Sequence, residues 1–342
     1  MFGVRCSVFG EREIGGGPIA DDLVTRRPWP RTAIASRATD VGCELPAIIR
    51  SGDVGSDVVR SRVRRGEIER LRVGVYRMPE TASTPARDRE RRVLALIAAV
   101  NATPRAPFWF SHESAALVWG CSTWHLAERV HLTRLTRPHV RSRDVTVVQH
   151  WASVPVEHRT AIHDVPVTSL ERTAFDCART LTTDRALVIA DSALALGASR
   201  GVLDAMLVTG TGKRGIRRAR WVVEHADARA ESPGETLARW SVVAEGLPAP
   251  ELQLEIETAS GRYRADMGWR DWWLLLEFDG EVKYRALADG DPSAVVMAEK
   301  WRQDALEELG WKVLRVSWGD LRDPTALAER VRRAAARTWR PR

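Results

Sequence analysis

Asp266, Glu277 and Asp279 are the residues of this chain whose types and spacing best suit a metal ion. Trp272 to Leu276 is an unbroken apolar run, followed directly by Glu277, Phe278, Asp279 and Gly280. A run of this length, bounded by Arg270-Asp271 and Gly280, predicts a strand buried on both faces. Side chains two apart on a strand share a face, so Glu277 and Asp279 point the same way. Asp266 ends the preceding extended segment, where it joins them. Carboxylates leaving water are costly unless paired or metal-bound, so this end of the strand calls for a divalent cation or basic partners.

The elements that must position these groups are legible on either side. Ser232-Pro-Gly-Glu235 is a capping box with Pro at the first helical position. Glu251 to Glu257 alternates apolar and acidic residues without a fault and predicts a half-buried strand with Leu252, Leu254 and Ile256 inward. Ser260-Gly261 turns the chain into a strand over 262–268. A helix over 293–309, a strand over 311–317 and a basic helix from Pro324 to Thr338 complete the order: helix, three meandering strands, helix, strand, helix.

The front of the chain has a different character. Residues 1–38 lack periodicity and carry Gly15-Gly-Gly17 and Pro28-Trp-Pro30, so they read as a disordered leader or as translation assigned too far upstream. Over 39–82 we expect a short apolar helix at Leu45–Ile49, a turn at Ser51–Ser56, a basic helix with Val58, Val59 and Val63 inward, and two short strands around Gly74. That is the outline of a winged helix-turn-helix, whose second helix enters the DNA major groove while the hairpin touches phosphates. Arg60, Arg62, Arg64, Arg65, Arg70 and Arg72 are the candidate DNA contacts; the alternative is a protein-binding module with a solvated basic surface. The middle, 86–228, reads as mainly helical, with helices over 88–100, 111–119, 168–179 and 184–196 and a strand over 145–151. His112, His150 and His163 read as lone histidines without ligand spacing.

At 342 residues the chain has room for two or three domains. The net charge of +7 favours an anionic partner, double-stranded DNA first. The 48 Arg against 4 Lys look like a coding bias, which discounts that inference. Cys6, Cys43, Cys121 and Cys177 are scattered, which argues against structural zinc or a disulfide framework and for a cytoplasmic setting. No apolar run is long enough to cross a membrane.

The order of elements in the last third, with acids on its second and third strands, resembles the PD-(D/E)XK nuclease superfamily. Asp266, Glu277-Phe-Asp279-Gly280, Arg302 with Asp304, and Gly310-Trp-Lys-Val-Leu-Arg315 are similar to the very-short-patch-repair-like endonuclease pattern over roughly 231–340. The resemblance implies an α/β (α+β) multidomain chain ending in a restriction-endonuclease-like αβββαβ domain over 229–342. It implies that Asp266 and Glu277 bind Mg2+ (or Mn2+), with the Leu276 or Phe278 carbonyl as a further ligand. Glu235 either holds a metal-bound water or only completes its capping box. The superfamily usually places Lys two residues after the Glu, where this chain has Asp279; Lys283 either substitutes for that cation or is a surface residue. Arg302 and Asp304 either support the site or form an ion pair. With its Gly74-Val-Tyr76 and Ser111-His-Glu-Ser-Ala-Ala116, the whole chain is also similar to proteins classed with the AbiEi-type antitoxins. That likeness implies DNA binding, transcriptional autoregulation and a cognate toxin as partner.

Overall fold

The computed structural model describes residues 42–79, 84–102, 107–137, 144–259, 261–279 and 292–337. The leader, Gly280 and Lys283 lie outside the described residues. The chain is mixed α/β with three sheets among those residues.

The front three-stranded sheet has the order β1-β3-β2. Its elements are β1 (Ile49–Arg50), α1 (Ser51–Val54), α2 (Ser56–Arg64), β2 (Glu69–Arg72) and β3 (Val75–Arg77). The basic helix and the hairpin stand as the sequence predicts, and Gly74 takes φ +76° at the turn, a conformation glycine adopts without strain. Three details differ. Leu45 to Ile48 is irregular rather than helical, since Pro46 has no N–H to give, and Ile49 pairs instead with Tyr76. Ser51 to Val54 is one helical turn, ended at Gly55. Of the three valines only Val59 is buried; Val58 and Val63 are exposed.

The middle region is mainly helical, as expected, but it also carries a sheet of which the sequence showed one strand. It contains α3 (Pro85–Asn101), β4 (Trp109–Phe110), α4 (His112–Trp119), β5 (Val130–Arg134), β6 (Val147–Trp151), β7 (Arg159–Ile162) and β8 (Val165–Thr168), then α5 (Leu170–Thr180), α6 (Thr183–Ala195), α7 (Arg200–Thr209) and α8 (Ile216–His225). The strands form a five-stranded sheet, β6-β5-β4-β8-β7. Thr168 closes β8, and Ser169 caps α5 by accepting from the Arg172 N–H. Leu71 and Val75 of the front hairpin share one core with Val93, Phe110, Val130, Leu132 and Val167.

The last unit contains α9 (Pro233–Ala244), β9 (Glu251–Thr258), β10 (Gly261–Trp269), β11 (Leu274–Phe278), α10 (Pro292–Glu308), β12 (Lys312–Val316) and α11 (Pro324–Ala335). Its sheet has the order β12-β11-β10-β9, with β12 parallel to β11 and the other pairs antiparallel. Strand β11 is covered on both sides as its apolar run predicts. Leu274, Leu276 and Phe278 pack with Ala238 and Val242 of α9 and with Leu327 and Val331 of α11. Leu275 faces Tyr263, Leu306 and Trp311. Each of these three leucines is fully buried, a gain of about 2 kcal/mol apiece. The strand begins later than expected: Arg270 to Trp272 forms a 3-10 turn, and Trp273 leaves it at φ +50°.

Asp191 joins α6 to α9. It is fully buried and accepts from the Asp227 N–H at 2.8 Å, the Thr236 hydroxyl at 2.7 Å and Arg239 Nη2 at 2.5 Å. Arg239, also buried, donates in addition to the His225 carbonyl. Asp191→Ala leaves that guanidinium without its counter-charge and is expected to cost about 3–5 kcal/mol, read from urea unfolding. A loss below about 1 kcal/mol, the scale of an exposed pair, would show that the junction carries no such weight.

Candidate functional site

Helix α9 brings Glu235 to the end of β11. Ser232 caps the helix by accepting from the Glu235 N–H at 3.2 Å. The Glu235 carboxylate in turn accepts from the Ser232 hydroxyl at 2.8 Å, the Glu231 N–H at 2.9 Å and Gln253 Nε2 at 3.2 Å. Gly234 is required here, since a Cβ in its place would lie 2.1 Å from the Phe278 ring. The close approach seats α9 directly over the end of β11.

Strands β9 and β10 bend to meet Glu235. Leu252 and Met267 pack in the core of Leu276, whereas Leu254 and Ala265 pack with Leu275. The change of side falls at Gln253, at φ +54°, which the register sets opposite Asp266. Neither residue then follows strict alternation. Asp266 Oδ2 accepts from the Phe278 N–H at 2.8 Å. Met267 pairs with Leu276, so Asp266 and Glu277 take the next facing positions, where β10 and β11 part. Glu277 lies 3.8 Å from Arg302, whose guanidinium sits 4.8 Å from the Tyr263 ring centre. The Asp279 N–H donates to the Val316 carbonyl at 2.8 Å. Its Oδ1 is buried without a hydrogen-bond partner among the described residues.

Burial, then the negative charge of Asp266, pushes the Glu235 carboxyl up to about 7. Mutual repulsion of this kind, beside a buried and unsatisfied carboxylate oxygen, is what a cation relieves. The donors are all oxygens and suit Mg2+ or Mn2+. The register thus sets Asp266 and Glu277 at facing positions and Glu235 beside Asp266, but among the described residues these carboxylates do not form a set of three with donor atoms as close as a metal site needs.

The candidate DNA contacts are divided. Arg60, Arg64, Arg65 and Arg70 are exposed, Arg60 beside Asp57 and Arg65 beside Glu67. Arg62 and Arg72 are half-buried in ion pairs with Glu67 and Asp144, at 3.3 and 2.9 Å. Those two are committed to the chain itself.

His112 and His150 are not the lone histidines the sequence suggests. With His131 they form the set of three metal-ligating side chains whose donor atoms lie within 4.8 Å of one another among the described residues. The alternation of Val130-His-Leu-Thr133, with the apolar members in the core, was the available signal.

Glu235 generates a pH prediction. Its folded-state pKa of about 7 lies above the ordinary 4.5, so the cost of ionising it grows as pH rises from the lower value through the higher. In metal-free buffer, wild type should lose about 2 kcal/mol of unfolding free energy relative to Glu235→Gln between pH 5 and pH 8. A difference that does not change with pH would contradict this.

No family model matches the chain. It is 35% identical over 164 residues to two proteins of Mycobacterium tuberculosis, Uncharacterized protein MT2308 (strain CDC 1551 / Oshkosh) and Uncharacterized protein Rv2248 (strain ATCC 25618 / H37Rv). Each match covers 47% of this chain, and the chain spans 58% of each relative's length. Among solved structures it is similar to the RV2827C protein from Mycobacterium tuberculosis, with a TM-score of 0.36 and 16% identity over 56% of this chain and 76% of that one.

Proposed function

We propose that this chain is a DNA-binding protein whose C-terminal unit hydrolyses phosphodiester bonds with Mg2+ or Mn2+. The observation that carries the reading is the placement of Asp266 and Glu277 at facing positions where β10 and β11 part, with Glu235 beside Asp266. The element order supports it as well, being the one on which the resemblance to the PD-(D/E)XK superfamily rests. Asp266 and Glu277 would hold the ion, which when bound lowers the pKa of a water and offsets charge on the scissile phosphate. Glu235, whose carboxyl is pushed up to about 7 by burial and Asp266 in the ion-free site, would accept or release a proton at its carboxylate. Arg302 beside Glu277 contributes positive charge toward the phosphate. Exposed Arg60, Arg64, Arg65 and Arg70 supply phosphate contacts.

A second reading is a non-enzymatic AbiEi-like antitoxin and transcriptional autoregulator, its nuclease-like unit a binding module. Asp279 in the place of the usual Lys favours it. So do Val58 and Val63, apolar residues exposed on the basic helix itself, which suit contact with a protein partner such as a toxin.

Incubating the protein with plasmid and Mg2+ or Mn2+, beside an Asp266→Ala/Glu277→Ala variant, separates the two readings. The nuclease reading expects cleavage that falls at least about 100-fold in the variant, since a bound ion contributes several kcal/mol to the transition state. Equal inactivity of both proteins supports the regulator. For binding, Arg60→Gln/Arg64→Gln should reduce the salt dependence of DNA affinity by about one slope unit per lost phosphate contact. An unchanged slope moves the contact surface elsewhere.

A further inference from the structure

A second group of potential ligands lies in the middle sheet, away from the carboxylates. Strands β5 and β6 run parallel, with His131 opposite Val148 and Thr133 opposite His150. Val130, Leu132 and Val147 pack into the apolar core, so His131, Thr133 and His150 occupy the other face. His112, the first residue of α4, is buried and stacks on His150 at that face. His112 takes φ +53°, a left-handed conformation that is costly for a residue with a Cβ.

The result is three imidazoles in contact. The His112 and His150 rings stack with centres 3.8 Å apart, and His131 Nδ1 lies 3.1 Å from His150 Nε2. A neutral imidazole has one N–H and one lone pair, so one of that last pair donates and the other accepts. His112 Nδ1 lies 2.9 Å from Ser111 Oγ, which already accepts from the Thr133 hydroxyl at 2.8 Å. With Nδ1–H donating to that oxygen, Nε2 of His112 is bare. A hydrogen bond on one ring nitrogen that fixes the other as a ligand is the usual support of a metal-bound histidine.

We propose that His112, His131 and His150 bind one divalent transition ion of the zinc class, through one imidazole nitrogen each. Imidazole suits zinc, copper and nickel, whereas Mg2+ takes oxygen. Tetrahedral zinc at about 2.0–2.1 Å from nitrogen sets its ligands roughly 3.3 Å apart. The three donor atoms lie within 4.8 Å of one another, so small ring rotations would have to bring them to that spacing. No fourth ligand joins the set among the described residues.

The test uses untagged full-length protein, stripped with a chelator and then dialysed against Zn2+ or Co2+. We expect one equivalent of zinc by atomic spectroscopy and, with Co2+, the visible absorption of a tetrahedral site. His131→Gln and His150→Gln should each weaken zinc affinity at least about 100-fold, exceeding the usual effect of removing a ligand's hydrogen-bond partner. His125→Gln, at an exposed histidine, should not weaken it, and neither should Asp266→Ala/Glu277→Ala. His112 is buried, so the partly exposed pair carries the test, with circular dichroism reporting the folded state. Zinc should also raise the melting temperature of wild type, and Mg2+ should not. A wild-type chain that takes up no zinc overturns the proposal, leaving a hydrogen-bonded histidine cluster only. So does uptake that survives in folded His131→Gln and His150→Gln.

Discussion

A fully buried aspartate needs compensation for lost water, and in this chain that need fastens one half to the other. Asp191 sits on α6 with no solvent contact, where burial raises its carboxyl pKa against the pull of Arg239 and three hydrogen bonds. Two of its partners, Thr236 and Arg239, belong to α9, and the third is the Asp227 N–H on the connection between the halves. Helix α9 also carries Glu235 at its first turn. The position of the carboxylate site is thus referred back to the helical middle region. Pairs of this kind add little net stability but are severe when broken, which makes them better at fixing one arrangement than at strengthening it.

Among the described residues six that are not glycine take left-handed backbone conformations, and three of them, Gln253, Trp273 and His112, bear on the candidate sites. The first redirects β9 at Glu235, the second launches β11, and the third sets an imidazole against two others. Such conformations survive only where the surrounding packing over-determines them, and each of the three adjoins a fully buried strand or helix. The two clusters also separate by donor type. Oxygens gather at the end of β11, and nitrogens on the polar face of β5 and β6.

What the sequence made legible was local. The Ser232 to Glu235 capping box, the alternation of Glu251 to Glu257 and the apolar run into Glu277 are contained in a few residues each; the box forms as read, while the first strand switches sides at Gln253 and the second begins only at Leu274. The five-stranded middle sheet was not legible, because strands such as Trp109–Phe110 are too short for alternation to register. The apolar Leu45–Ile49 has a composition that suits a helix or a strand equally, and pairing with β3 decided it. The histidine cluster depends on the parallel pairing of β5 with β6, a fact of topology that no spacing along the chain encodes. The bend at Gln253 is of the same kind, since nothing in a glutamine announces a left-handed residue.

The front hairpin rests on the middle sheet through Leu71 and Val75, and Arg72 is tied to Asp144. The hairpin is therefore a foot rather than a flap, held at a constant bearing to the middle sheet without the swivel a linker would allow. Parting it from that sheet would strip two core side chains of their cover and leave a sticky fragment.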